Sequence, residues 1–468
     1  MLKVKVGGEL LSAEPGQRLS EILIKHEKKI EQPCGGKGTC GKCKVLVDGM
    51  VQRACQYVLQ SDVTVELIEQ GRIISETGAQ ENGSMTEHMS YVLDIGTTTL
   101  ALALVSLDEK RIVQVRTGNN PQSVYGADVI SRIDYCQKHG VEKVQQILLT
   151  ELKQMLACFQ MDRPLDMYVA GNTTMLHIFY GVDPSPMGVA PYAPVFVEGQ
   201  RKNADEFGFA GVRDIILLPS VSAFVGADLV AGINYVGMPE AGKYDLLVDL
   251  GTNAEVILFS KEEMLCTSAA AGPCFEGANI SCGMSATEGA VTSFAMDESK
   301  RPVFCTIGGA PPKGICGTGL VDIIAELVRI GIIDETGYME EESFTVAEGV
   351  TLKQADVRQF QLAKSAVYSA IRALMHVTGV SYDQIDKLYI SGGFSAQLNV
   401  ENAIRVGLLP QELWGHIQPI NNSSLLGTVK YACEGGDLSE YVEKAKYVDL
   451  ATDIFFADMF IKNMEFYR

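Results

Sequence analysis

No stretch of this sequence stays apolar over the ~18 consecutive residues that a membrane-crossing helix requires. The opening residues, MLKVKVGGELLSAEPG, alternate and turn like a strand and lack a signal-type apolar region, so the expected compartment is the cytoplasm. An excess of positive charge is also missing: 39 Lys and Arg face 58 Asp and Glu, a formal charge of −19. Such a chain is a poor partner for nucleic acid or an anionic membrane surface. Histidine is scarce, six residues scattered singly, and His177 lies among apolar neighbours where packing is its expected role. Cysteine is not scarce. Twelve are present, and in a reducing compartment they do not make a disulfide framework. Glycine is plentiful as well, 46 residues against an average usage of ~7%, which points to tight turns and ligand-approaching loops.

The 468 residues suffice for two to four domains and at least one large core. Charge is unevenly placed. Residues 1–70 carry ten basic and nine acidic side chains, a balance of +1, which leaves −20 on the rest and marks a boundary near residue 70. Before it, LKVKV, a Gly7-Gly8 turn and ELLSA predict a β-hairpin, residues 19–30 a helix, and 44–49 and 62–69 further strands. Residues 71–90 are polar and aperiodic and read as a linker. From Tyr91 the pattern becomes a large α/β domain, 91–468, with long helical patterns at 141–159 and 356–378. LDIGTTTLALALV (93–105) and VDLGTNAEVILF (248–259) resemble each other across 155 residues, as a duplicated domain with facing halves would.

PCGGKGTCGKC and the following VQRACQ put Cys34, Cys40, Cys43 and Cys55 at the spacing C-x5-C-x2-C-x11-C. Structural zinc normally takes two separated C-x2-C knuckles, and only Cys40/Cys43 forms one. An iron–sulfur cluster suits the loop better, because Gly35, Gly36, Gly38 and Gly41 let backbone amides approach the sulfides. The spacing is close to the plant-type [2Fe–2S] pattern with one extra residue in the first gap; zinc and a [4Fe–4S] cluster are the alternatives. Lys37, Lys42, Lys44 and Arg53 surround the cysteines, either as a solvated loop or as a basic rim that meets an acidic surface. The remaining cysteines are scattered and read as small buried apolar residues.

The two Asp-Gly-Thr loops, DIGTTT and DLGTNAE, lack a P-loop lysine. Asp94 and Asp249 end strands and can hold Mg²⁺ directly or through water. Gly96 and Gly251 open the turn so that N–H groups reach phosphate, and Thr97, Thr98 and Thr252 add hydroxyls. Asn253 and Glu255 can orient the metal or an attacking water. YISGGFSAQ (389–397) leads a strand into Gly392-Gly393 and then a predicted helix, a bare edge suited to adenosine. GICGTGL opens a helix with Gly317, Thr318 and Gly319 placed for anion contact.

This set resembles the acetate and sugar kinase/Hsp70/actin superfamily of ATPases. It implies an α/β chain in which a small β-grasp ferredoxin-like domain (1–70) precedes a duplicated ribonuclease H-like ATPase domain. The pairing, with AGNTTMLHIFYGVDP (170–184), LPSVSAFVGAD (218–228), AAGPCFEGANISCGM (270–284) and LNVENAIRVGLLP (398–410), resembles the reductive activators of corrinoid-dependent methyltransferases. The resemblance implies ATP, Mg²⁺ and a [2Fe–2S] cluster as cofactors and catalytic roles for Asp94, Asp249 and Glu255. It further implies a corrinoid protein and an upstream low-potential electron donor as partners, and it allows for a homodimer. Only about twenty residues separate the two parts, too few for a further domain between them. The rival readings are an activator of a radical dehydratase, a metabolite kinase with an appended ferredoxin, and a redox-sensing module that binds ATP without turnover.

Overall fold

The computed structural model describes residues 1–26, 28, 30, 36, 43–67, 85–299, 301–393 and 395–466. Cys34, Cys40, Lys37, Lys42 and most of the expected linker lie outside the described residues.

The first strands, β1 (Leu2–Val6) and β2 (Glu9–Ala13), pair antiparallel about Gly7 and Gly8, whose φ of 52° and 91° are what a two-residue hairpin turn needs. Alternation puts Val4, Val6, Leu11 and Ala13 on the buried face. Helix α1 (Leu19–Lys25) lays Leu19, Ile22 and Leu23 across that face, shorter than the predicted 19–30. Strands β3 (Lys44–Val47), β4 (Met50–Arg53) and β5 (Val63–Leu67) complete a sheet of order β2-β1-β5-β3-β4, with β1 and β5 parallel. A five-stranded sheet crossed by one helix is the β-grasp arrangement.

The second sheet begins with a meander: β6 (Met89–Ile95), β7 (Thr99–Ser106) and β8 (Arg111–Asn119). Strand β6 starts within the expected linker, because His88 and Thr86 already bond to the meander through Asp108 and Ser106. Helices α2 (Val129–His139) and α3 (Glu142–Leu156) follow, the latter burying Val144, Leu148, Leu152 and Met155 along one helical stripe. Next come β9 (Leu165–Gly171), α4 (Thr173–Phe179), β10 (Gln200–Asn203), β11 (Val212–Leu217) and α5 (Ala227–Val236). The order is β10-β11-β9-β6-β7-β8, with β9 and β11 added parallel to β6.

The third sheet repeats the scheme. Strands β12 (Tyr244–Leu250), β13 (Ala254–Phe259) and β14 (Met264–Ala269) form the meander. A side layer holds β15 (Ala290–Met296), β16 (Pro302–Thr306), β17 (Gly314–Ile315) and α6 (Gly317–Arg329). The hairpin β18 (Ser343–Ala347) and β19 (Val350–Lys353) leads into the long α7 (Gln354–Thr378). Then β20 (Ile385–Ser391), α8 (Val400–Arg405), β21 (Ile417–Pro419), α9 (Ser423–Glu434), α10 (Ser439–Lys444), β22 (Ala445–Tyr447) and α11 (Ile454–Lys462) complete the chain. The order β21-β20-β12-β13-β14-β22 again sets two parallel strands beside a meander, so the duplication legible in the two Asp-Gly-Thr segments extends to whole sheets.

Helices α5 and α9 join the halves. A Cβ on Gly427 would stand 1.7 Å from the Ala231 carbonyl oxygen, so the two backbones touch and only glycine fits there. Helix α9 packs on β6 and β9, and α5 on β9 and β12, which fills the space between the two sheets.

Candidate functional site

Both meanders place an aspartate one residue before the end of their first strand. Asp94 pairs in register with Ala101 and Ala170, and Asp249 with Glu255 and Ser391. The turns that follow close on themselves: Gly96 N–H donates to the Thr99 carbonyl at 3.0 Å, and Gly251 N–H to the Asn253 carbonyl at 3.0 Å. The two loops line a single cavity of about 270 Å³. Asp94, Gly96, Thr97, Thr98, Asp249, Gly251, Thr252, Asn253, Glu255, Gly317, Thr318, Gly392 and Gly393 all contribute to its wall. Gly319 is not among the lining residues. A Cβ there would lie 2.1 Å from the Val291 carbonyl, so this glycine serves the packing of α6 on β15.

The predicted helix after Gly392-Gly393 is not formed directly. Ser395 Oγ donates to the carbonyls of Gly392 at 2.8 Å and Ile420 at 2.7 Å, and this local capture leaves only a 3-10 turn, Ser395–Gln397, before α8. The Gly392-Gly393 backbone therefore stays open along the cavity.

Acidic groups dominate the cavity. Burial raises Asp94, opposed by hydrogen bonds from Asn422 Nδ2 at 2.6 Å and Ser424 Oγ at 2.7 Å. Burial, then the charge of Asp94, pushes Asp249 up to about 6, although Ser391 Oγ donates to it at 3.1 Å. Glu255 is raised by burial and by the charges of Asp228 and Asp249. Asp228, at the start of α5, is raised by burial and by Asp249. Carboxylates gathered out of water in this way favour a cation among them. Among the described residues no three His, Cys, Asp or Glu side chains form a ready-made metal cage, so a cation here would complete its shell with water and phosphate oxygens.

Some residues of this site carry no local sequence signal. Asn120 Nδ2 donates to the Gly96 carbonyl at 2.8 Å, and the buried Arg132 guanidinium donates to the Thr97 carbonyl at 2.6 Å, so both brace the first loop from behind. Burial lowers Arg132 to about 10. Glu276 accepts from Thr98 Oγ1 at 2.7 Å and from Thr252 Oγ1 at 3.0 Å. Asp228 and Glu276 fall inside the quoted segments LPSVSAFVGAD and AAGPCFEGANISCGM, but nothing local distinguishes them from solvated acids.

In the small domain, Cys43 and Cys55 are both buried at the paired ends of the β3–β4 hairpin, where Ala54 N–H donates to the Cys43 carbonyl at 2.8 Å. Gln56 Nε2 donates to Cys55 Sγ at 3.6 Å and to the Gly36 carbonyl at 3.1 Å, which ties the hairpin to the glycine loop. Gly36 has φ 79°. Two neighbouring buried thiols, neither in a disulfide, with an amide N–H aimed at one sulfur, fit a sulfur-ligated cluster. His177 is buried. Its Nδ1 bonds the Thr173 carbonyl at 2.8 Å, and its ring stacks on Phe196.

Family models match along most of the chain: the RACo middle region over residues 89–241 and the C-terminal domain of RACo, the ASKHA domain, over residues 243–468. The middle region is thus the first lobe itself and not an insertion ahead of it. The sequence is 28% identical to the corrinoid activation enzyme RamQ of Eubacterium limosum, covering 88% of this chain and 75% of that protein. It is 25% identical to the Co(II) methylated amine-specific corrinoid protein reductase of Methanosarcina barkeri, covering 76% and 72%. The solved structure of a reductive activator for corrinoid, iron–sulfur protein superposes with a TM-score of 0.75 at 26% identity, over 100% of this chain and 98% of that one.

Proposed function

This chain belongs to the family of reductive activators of corrinoid proteins, and from that premise we propose that it uses ATP to return a Co(II) corrinoid of a methyltransferase system to Co(I). The balance is simple. Cobalt gains one electron from an upstream low-potential donor by way of the small domain, while ATP and water become ADP and phosphate. The observation that carries the reading is the pair of Asp-Gly-Thr loops, equivalent by the fold's repeat, that line one cavity beside the open Gly392-Gly393 edge.

Cys34, Cys40, Cys43 and Cys55 would hold a [2Fe–2S] cluster, which when bound supplies a one-electron carrier near −400 mV. Gln56 supports that set by donating to Cys55 Sγ. Asp94, oriented through both its oxygens by Asn422 and Ser424, and Asp249, held through one oxygen by Ser391, organise Mg-ATP from opposite sides. Thr98 and Thr252 offer hydroxyls to the phosphates, Asn253 and Glu255 stand on the second loop to orient metal and water, and Gly317 and Thr318 present the start of α6. An uphill transfer of about 150 mV corresponds to about 3.5 kcal/mol for one electron. A 10⁴-fold population shift between two conformations is worth about 5.5 kcal/mol, so a nucleotide-driven change in the ATPase lobes is sufficient. The radical-dehydratase and kinase readings are not favoured, because the relatives act on corrinoid proteins.

The test is anaerobic. Reduced protein is mixed with a Co(II) corrinoid protein, and the Co(I) absorption band is followed with and without Mg-ATP. Rapid Co(I) formation is expected only with Mg-ATP; equal yield without nucleotide would reject the coupling.

A further inference from the structure

Glu276 lies on the 3-10 turn Pro273–Glu276, between Gly272 and Gly277, both at positive φ (78° and 75°). Its Oε2 accepts the Thr98 hydroxyl at 2.7 Å and the Thr252 hydroxyl at 3.0 Å. One carboxylate oxygen therefore clasps the first phosphate loop to the second. A threonine hydroxyl has a single proton. With both protons given to Glu276, the 3.3 Å approach of the two hydroxyls to each other is a close contact and not a third bond. Neither hydroxyl can then donate to a phosphate while Glu276 stays in place. A carboxylate beside arriving phosphate oxygens is also repulsive at short range. Burial raises Glu276, opposed by the hydrogen bonds from Thr98 and Thr252 and, last, by the charge of the buried Arg132 guanidinium, which is bonded to the Thr97 carbonyl behind the first loop.

We propose that Glu276 is a nucleotide-responsive latch, a positioning residue that stands in for phosphate between the two loops and must swing away when Mg-ATP binds. The proposal rests on reading this cavity as the ATP site. Its close-packed neighbours would pass the swing on. Phe275 packs edge-to-face on Phe360 of α7, with ring centroids 5.9 Å apart. Gly317, the first residue of α6, sits so close to the Phe275 carbonyl that a Cβ would stand 2.2 Å from that oxygen. Movement of Glu276 therefore shifts a turn that presses on both α6 and α7, and ATP occupancy is converted into helix displacement in the second lobe. The hinges are the two positive-φ glycines, of which Gly277 is confined: a Cβ there would meet the Met284 carbonyl at 2.3 Å.

The latch makes a prediction opposite to that for a general base or an ordinary phosphate contact. A closed latch taxes binding by the fraction of molecules that are open. Opening it in advance should tighten Mg-ATP by about tenfold, since each lost bond is a charge-assisted one. Glu276→Gln keeps the shape and removes the charge; Glu276→Ala removes the clasp. Binding of Mg-ATP and of inorganic phosphate to the full-length, anaerobically purified protein is measured by calorimetry, with KM and kcat for ATP hydrolysis alongside. Both variants should bind both probes more tightly and show a lower KM, and hydrogen exchange at 273–277 should respond less to ATP than in the unaltered protein. Unchanged or weaker binding in Glu276→Gln overturns the latch, whatever becomes of Glu276→Ala. So does a fall in kcat with KM unchanged, which would mark a general base. If the unaltered protein binds no Mg-ATP, the failure belongs instead to the reading of the cavity.

Discussion

Gly392 and Gly393 are adjacent, and both line the cavity, yet the structure assigns them opposite burdens. Gly392 has φ 113°, and a Cβ on it would stand 2.2 Å from the carbonyl oxygen of Leu250. An ordinary contact begins at 3.4 Å, so Gly392→Ala must push the two backbones apart by about 1.2 Å (3.4 − 2.2). Leu250 lies between Asp249 and Gly251, so the displacement falls directly on the second Asp-Gly-Thr loop. A misplacement of ~1 Å at a catalytic constellation costs on the order of 100-fold in rate. The strain of a side chain at this φ adds about 1–3 kcal/mol of destabilisation. Gly393 differs, because a Cβ there meets nothing within 4 Å. Gly393→Ala should leave the melting temperature unchanged and raise the KM for ATP, since Gly393 lines the cavity proposed for the nucleotide. The assay is ATP hydrolysis by the full-length protein, with thermal unfolding measured on the same samples. Gly392→Ala should lose about two orders of magnitude in turnover and melt earlier. Unaltered turnover in Gly392→Ala would refute the close approach of the two strands as a requirement of the site. A fall in melting temperature for Gly393→Ala would refute the distinction between the pair.

Two further outcomes are expected. A Cys40→Ser, Cys43→Ser double variant should lose both irons and the ferredoxin-like reduced EPR signal while ATP turnover persists; full retention of the cluster, or one zinc in the unaltered protein, would reject the ligand set. Lys364, buried on α7 and bonded to the Glu465 carbonyl with Phe466 beneath it, has its ammonium pushed down by burial from 10.5 to about 7. The unfolded chain then holds the extra proton between those values, so stability should rise as pH goes up from about 7 toward 10. Lys364→Met should flatten that rise, and parallel melting-temperature profiles for variant and parent would refute it.

The local patterns were legible because each carries its own physics. Alternation about Gly7-Gly8 can only be a hairpin with one buried face, and the two Asp-x-Gly-Thr turns each end a strand and begin its partner. What escaped was contributed from a distance or hidden in a shared pattern. Gly317 and Gly319 look alike in GICGTGL, yet one lines the cavity and the other admits the Val291 carbonyl, a difference set by which strand lies beneath. The sequence predicts a helix after Gly392-Gly393, but Ser395 takes the local carbonyls first. Asn422 and Ser424 are 328 and 330 residues from Asp94, and no period or composition signals such a pairing.

That distance is itself informative about how the site works. Asp94 belongs to the first half of the repeat but is oriented from the start of α9, which lies within the second half. Asp249 belongs to the second half, and after burial its charge is what raises Asp228 at the start of α5, which follows the first. Each half's aspartate is thus attended by a helix coming from the other. The two helices touch backbone to backbone at Ala231 and Gly427, where no side chain can cushion them. A rotation of one lobe against the other therefore cannot leave either aspartate's surroundings unchanged, and a phosphate that draws the two loops together must move α5 relative to α9. A kinase needs such closure to shut water out. In a protein that hands one electron to a partner, the same closure serves better as an output, because the free energy released on ATP binding and hydrolysis has then been converted into lobe geometry that a docked protein can feel.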